Sequence, residues 1–332
     1  MLPSLAALTA FSDFHFLALA DWGGLPVWPW ASPAQKRVAA AMGELAERHS
    51  SAFVLSLGDH FYFSGVRSVR DARWRRTFEQ VYDHPSLSGA GFWKCVAGNH
   101  DHDGNITAQL AYAAQPNSRW DYPSLQHQWR STVDDEARTT IDFVLIDTQL
   151  LCGMPKGSRK LDRHTARHWA WVEGALAAAD ADYLVVGGHY PIESPAGHGP
   201  SACLRKRLEP LLRAGRATVY FSGHDHAMFH VGAAARASTP SLAPPPLSPP
   251  PPPPHVVQYH GVGAGFVTSC SAKHAKSIRP KGDLRFHRRG VRPTNVLEGG
   301  FAGVSVSAEG MTVTHYGSEG EVMYAHTAMP RR

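Results

Sequence analysis

Five short segments set oxygen and nitrogen donors beside glycine. They are Asp21-Trp22-Gly23-Gly24, Gly58-Asp59-His60-Phe61-Tyr62, Gly98-Asn99-His100-Asp101, Gly188-His189 and Gly223-His224-Asp225-His226. Carboxylate, amide oxygen, imidazole and phenolate are hard or borderline ligands. They suit iron, zinc or manganese better than a metal that seeks thiolates. A glycine ahead of a donor lets the chain turn tightly and approach closely. Two ions held side by side by such donors can clamp a phosphate, lower the pKa of a water and stabilise attacking and leaving oxygens. Each segment alone is weak, because a lone Asp after a strand usually caps a turn and a lone His is usually structural. Five of them in one chain are hard to attribute to chance.

Each segment follows a run with the composition of a β-strand: residues 14–20, 52–57, 92–97, 183–187 and 217–221. In α/β sheets the loops at the carboxyl ends of strands converge on the active site, so this placement is the expected one. Between the runs lie helical patterns. Ser32-Pro33 reads as an N-cap followed by proline in the first turn, opening a helix to about His49. A second helix is predicted over residues 164–179, and another strand over 140–147. Three later runs, 256–261, 302–307 and 311–316, read as antiparallel strands. The alternation implies an α/β fold with layered sheets. No short-period repeat is present.

One stretch breaks the pattern. Residues 238–254 are almost all Pro, Ser, Ala and Leu, and end in six prolines. Proline lacks an amide donor and has a fixed φ, so this is an exposed polyproline II excursion. Apolar sequence resumes on both sides, which favours a loop insertion over a domain boundary. A PxxP-binding partner could use it, although a tolerated surface loop is the simpler reading.

Hydrophobic residues are 43% of the 332 and charged ones 18%, a globular composition with enough apolar residues for a sizeable core. The formal charge of +5 suits anionic substrates but is too small to imply nucleic acid. No apolar run is long enough to span a bilayer, so no membrane role is expected. Residues 1–11 are apolar, without a basic start or a persuasive cleavage site. They read as an N-terminal arm or the remnant of a signal peptide. The cysteines, Cys95, Cys152, Cys203 and Cys270, form no CxxC pair, which argues against a zinc ribbon or a thioredoxin-type site.

The five segments resemble the signature of the calcineurin-like metallophosphoesterases, and Tyr62 narrows the resemblance to purple acid phosphatases. It is closest to the mammalian-type, uteroferrin-like tartrate-resistant enzymes. Residues 55–66, 96–102, 188–191, 198–200, 282–287, 299–302 and 311–314 extend it over nearly the whole chain. The resemblance implies a four-layer α/β/β/α sandwich, one domain over residues 1–332 and a monomer. It implies an acid phosphatase acting on phosphate monoesters with two metal ions, Fe(III) paired with Fe(II), Zn or Mn. Asp21, Tyr62 and His226 would hold the ferric ion; Asn99, His189 and His224 would hold the divalent one; Asp59 would bridge them. A metal-bound hydroxide would attack phosphorus, with His100 and His198 as the catalytic histidines beside the metals and the substrate phosphate.

Cys152 and Cys203 match the family's disulfide, and Asn105 opens a sequon where the family is glycosylated. Both imply secretion or a lysosome- or vacuole-like organelle. Cys95 and Cys270 match nothing and are expected to be free buried thiols. The family's longer exposed loop, whose cleavage relieves repression, is replaced by the short residues 153–161, which predicts little need for proteolytic activation. The proline insertion has no counterpart. Other readings are a phosphodiesterase or nucleotide pyrophosphatase on the same scaffold, an iron-binding or iron-carrying protein, and an inactive relative.

Overall fold

The computed structural model describes residues 13–134, 138–153, 163–232, 255–292 and 294–331. The apolar start at 1–11, the proline run at 238–254 and all of the 153–161 stretch except Gly153 lie outside the described residues.

In chain order the chain forms β1 (Phe14–Leu19), α1 (Pro33–His49), β2 (Val54–Leu57), β3 (Trp93–Val96), α2 (Asn99–His102), α3 (Ile106–Ala113), β4 (Trp120–Asp121), β5 (His127–Asp134) and β6 (Thr139–Ile146). There follow α4 (Thr148–Cys152), α5 (Arg163–Ala178), β7 (Tyr183–Gly188), α6 (Ala202–Ala214), β8 (Val219–Ser222), β9 (Met228–Val231), β10 (Gln258–Val262), β11 (Leu284–Arg288), β12 (Gly300–Val306), β13 (Met311–Gly317) and β14 (Val322–Ala328). The strands make two seven-stranded sheets, ordered β14-β13-β12-β1-β2-β3-β4 and β11-β9-β10-β8-β7-β6-β5.

The strands that carry the donor segments run parallel to their donor-carrying neighbours: β1, β2 and β3 in the first sheet, β7 and β8 in the second. Their carboxyl ends therefore open on the same side of each sheet. Antiparallel strands extend both sheets, with β12, β13 and β14 a meander beside β1. Of the three late strands expected to be antiparallel, β12 and β13 are. β10 is antiparallel to β9 but parallel to β8, because it lies between the two in the sheet.

Strand alternation builds three cores. On β6, Ile141, Phe143 and Leu145 point between the sheets, where they meet Phe16, Leu55, Val185 and Phe221. Val144 and Ile146 point the other way, onto Val172 of α5 and Leu204 and Leu208 of α6. On the first sheet, Leu17 and Val54 face outward onto Val38 and Met42 of α1 and Ala108 of α3. The layers are α/β/β/α, and strands buried on both faces explain the continuous apolar runs in the sequence. Ser32 caps α1 as expected, accepting from the Gln35 amide at 3.0 Å, and Ser50 in the left-handed region closes it after His49.

Cys152, at the end of α4, is bonded to Cys203, in the first turn of α6, with a Cα separation of 5.8 Å. Cys95 and Cys270 are free thiols; Cys95 is buried, whereas Cys270 is partly exposed because it lies on an irregular segment. No helix among the described residues is long and apolar enough to cross a membrane.

Candidate metal centre

Asp21 follows β1, Asp59 and Tyr62 follow β2, Asn99 and His100 begin at the end of β3, His189 follows β7, and His224 and His226 follow β8. Both sheets thus deliver side chains to one place. The turns are sharp. Asp21, Asp59 and His224 all have left-handed backbones, with φ of 56°, 53° and 69°. Non-glycine residues hold such angles only where the surroundings impose them, and they cluster at functional sites. Two glycines matter for their missing side chains. A Cβ on Gly98 would sit 2.2 Å from Asp59 Oδ1, and one on Gly223 would sit 2.4 Å from Asp21 Oδ2.

Asp59, His189 and His224 offer ligand atoms that all lie within 4.8 Å of one another, a cluster able to hold a metal ion. His189 Nε2 is 3.3 Å from Asp59 Oδ1 and 3.1 Å from Asn99 Oδ1. Its Nδ1 donates to the Leu57 carbonyl at 2.9 Å, which leaves Nε2 as the nitrogen that faces the cluster. A second set adjoins it. Tyr62 Oη donates to Asp21 Oδ1 at 3.0 Å and lies 2.9 Å from His226 Nε2, which is 3.6 Å from the same carboxylate oxygen. The two sets are tied by the His224 amide, which donates to Asp21 Oδ2 at 2.7 Å.

The electrostatics show what such a cluster lacks. Burial pushes the Asp21 carboxyl well above the usual carboxylate range, against the pull of His189. Burial also opposes ionisation of Asp59, but His189 outweighs it and holds Asp59 low. In return, and against burial, Asp59 raises His189 to about 10. Burial, then the charge of Asp21, raises the Tyr62 phenol well above its ordinary value. Burial, followed by His189, drives His224 well down, and burial takes His226 to about 4. The last two imidazoles are thereby kept neutral, the form that ligates a metal. The acids draw most of their positive charge from the His189 proton. A cation would replace that proton, so oxygen-and-imidazole donors in these states fit hard or borderline cations.

The remaining candidates surround this cluster. His100 donates its amide to Asp59 Oδ1 at 3.0 Å, and its Nε2 lies 3.9 Å from Asp59 Oδ2. The His198 ring lies against the His224 ring, 4.2 Å between centroids. Asn105 is exposed and caps α3, accepting from the Ala108 amide at 3.0 Å while its Nδ2 donates to the Arg67 carbonyl at 3.1 Å. It stands apart from the donors. Two residues quoted in the donor segments without a role prove to be braces. Asp101 is fully buried and accepts from the amides of Gly98 and His60, at 2.9 and 3.1 Å, and from Gln109 Nε2 at 2.9 Å. Asp225 holds the loop that carries His198. The only sequence signal for either was its position between donors.

The Calcineurin-like phosphoesterase family matches residues 8–228. Tartrate-resistant acid phosphatase type 5 of Oryctolagus cuniculus is 36% identical over 331 residues, covering 97% of this chain and 93% of that protein. The Homo sapiens protein of that name is 35% identical, covering 100% and 95%. Purple acid phosphatase 3 of Arabidopsis thaliana is 31% identical over 65% of this chain and 58% of its own length. Among solved structures, GAP50, the anchor in the inner membrane complex of Plasmodium, shares the fold with a TM-score of 0.76 at 21% identity, covering 97% of this chain and 90% of that one. Lupin purple acid phosphatase PPD1 does so with a TM-score of 0.61 at 14% identity, over 95% and 53%. The donors at the strand ends and the full-length similarity agree: the chain belongs to the calcineurin-like phosphoesterases, as a close relative of the mammalian tartrate-resistant purple acid phosphatases.

Proposed function

We propose that this protein is an acid phosphatase that hydrolyses phosphate monoesters with two metal ions, Fe(III) paired with Fe(II), Zn or Mn. The observation that carries this reading is the pair of adjoining donor sets, Asp21–Tyr62–His226 and Asp59–His189–His224 with Asn99. Asp59, whose charge acts on Asp21, Tyr62 and His226 as well as on His189, would serve both ions. A phenol beside a buried carboxylate and a neutral imidazole is a donor set for a high-charge cation, because only strong positive charge overcomes the burial that keeps Tyr62 protonated. Once bound, such a pair polarises a phosphate ester and lowers the pKa of a water.

The chain's own residues do the rest. His189 is oriented by the Leu57 carbonyl, and Asn99 adds a neutral oxygen that leaves the charge on the second cation uncompensated for a phosphate. His100 stands at the partly open side of Asp59, where it can give a proton to the leaving oxygen. His198, its ring tilted against that of His224, would stand beside the substrate phosphate. The Cys152–Cys203 bond and the exposed Asn105 sequon support a secreted or lysosome-like setting, where disulfides persist.

The test uses iron-loaded protein and an aryl phosphate across pH, with and without tartrate, beside His224→Ala. Acid-side turnover that survives tartrate and disappears in the variant is the expected result. A folded, iron-loaded parent that does not turn over would sink the phosphatase reading and favour an iron-binding role.

A further inference from the structure

The turn after β8 carries two metal-ligand candidates, and the residue between them is used for something else. Asp225 is 2% exposed, and among the described residues no Lys, Arg or His forms an ion pair with it. Its carboxylate is satisfied instead by three donors from one loop. Oδ1 accepts from the His198 amide at 2.7 Å; Oδ2 accepts from the Gly199 amide at 3.1 Å and from the Ser194 hydroxyl. Ser194 Oγ in turn accepts from the Ala196 amide at 3.1 Å. The loop over residues 194–199 is thus wrapped around a single carboxylate.

The other side of that loop is also filled. The His274 amide donates to the Pro195 carbonyl at 3.0 Å. A side chain on Gly199, whose φ is +76°, would meet the His274 ring at 2.6 Å. The Cys270–Ser277 segment therefore presses the loop inward, and Asp225 holds it from within. One peptide unit separates Asp225 from His224 on one side and from His226 on the other. The position of His198 is consequently referred to the ligand turn itself and not to a distant element.

We infer that Asp225 is a positioning residue for the phosphate-hydrolysing site: it locks the 194–199 loop to the ligand turn so that His198 is presented to the substrate phosphate. This rests on the phosphatase reading above. The chemistry explains why a carboxylate is required. Three donors need at least two acceptor oxygens with free lone pairs, and an amide supplies one. In Asp225→Asn the amide nitrogen must face the backbone N–H of either His198 or Gly199, donor against donor, so at least one loop contact is lost and the loop gains freedom. Misplacement by about 1 Å is enough to cost on the order of 100-fold in rate.

A purely structural brace would lower stability or metal content without acting through His198. A double-mutant cycle separates the two cases. The parent, Asp225→Asn, His198→Ala and the double variant are loaded with metal, and kcat and KM for an aryl phosphate are measured with the bound metal per chain. We expect each single variant to lose about 10-fold to 100-fold in kcat/KM with metal content unchanged. The double variant should fall within about 3-fold of the worse single one, because Asp225 has nothing left to position. Losses that multiply, or loss of metal in Asp225→Asn at parental His198, would overturn the inference. Ser194→Ala removes one donor without touching the carboxylate and guards against misfolding of Asp225→Asn. It should show a smaller loss that vanishes in the His198→Ala background. If the metal-loaded parent binds inorganic phosphate but does not turn over, the phosphatase reading fails by itself. The same cycle is then read from the inorganic phosphate Kd, where additive effects would overturn the positioning role.

Discussion

His100 shows how much a single side chain's orientation decides. Its Nδ1 donates to the Phe63 carbonyl at 2.6 Å, so Nε2 is the nitrogen left to exchange protons. That nitrogen faces Asp59, and its side chain is 29% exposed, which lets a leaving group of varied size approach it. A proton donor of this kind matters in proportion to the basicity of the departing oxygen. His100→Ala should therefore cost an alkyl phosphate about 100-fold or more in kcat, and an aryl phosphate with an acidic phenol much less. Metal content should not change. The check is the slope of log kcat against leaving-group pKa, which should steepen in the variant. Equal losses across the series would remove His100 from the role. At this scale the donors were readable in the sequence because their types and glycine neighbours are chemically unusual. Asp101 and Asp225 were not, since their neighbours are the same and only the fold shows that one braces Gly98 and the other the His198 loop.

The helix α1 shows how an ordinary element reaches the site. The Ser32 hydroxyl both accepts from the Gln35 amide and donates to the Phe266 carbonyl at 2.6 Å. Phe266 packs on the Tyr62 ring, 5.7 Å between centroids. Ser32→Ala removes a cap and leaves a buried carbonyl without that donor. A loss of about 1–3 kcal/mol follows. A thermal melt should drop by several degrees, while kcat at saturating metal stays within about 2-fold. An unchanged melt would show that water or another donor replaces the hydroxyl. Capping made α1 legible from Ser32-Pro33, and apolar runs did the same for the central strands. The unread elements lack those signals. β14 alternates mostly exposed and half-buried positions, β5 is rich in polar residues, and α6 carries Pro210 within it. Their places are set by partners far away in the chain: β13, β6, and the core shared with α5.

At the scale of the whole molecule, four histidines from different strands meet between the sheets, well apart in sequence. His230 of β9 and His260 of β10 stack with centroids 4.2 Å apart, and His230 also lies 4.4 Å from His326 of β14. His260 Nδ1 is 3.0 Å from Nε2 of His315 on β13. His230 sits between the Tyr324 hydroxyl and the Gln258 amide oxygen, each 2.8 Å away, contacts that suit a neutral ring. His260 Nε2 and His315 Nδ1 are buried without a hydrogen-bond partner among the described residues, and Arg285 of β11 adds further positive charge. Burial, and then His326, takes His230 down to about 3; burial, and then His230, takes His315 to about 3; burial drives His260 well down. The unfolded chain protonates these groups near 6.5. Folding therefore excludes protons that the unfolded state binds, so the stability they contribute is complete above about pH 6.5 and is lost as pH falls toward 3. For His230 and His315 the loss is on the order of 1 kcal/mol per pH unit each. A phosphatase working at acid pH would thus run with its sheet interface weakened. The melting temperature should fall by several degrees from pH 7 to pH 5. His315→Gln, which keeps an amide for His260 and cannot titrate, should flatten that fall while retaining the metal ligands. A metal-loaded parent with the same melting temperature at both pH values would refute the cluster's part in acid sensitivity. So would an unaltered slope in His315→Gln, which would assign the sensitivity to the metal centre instead.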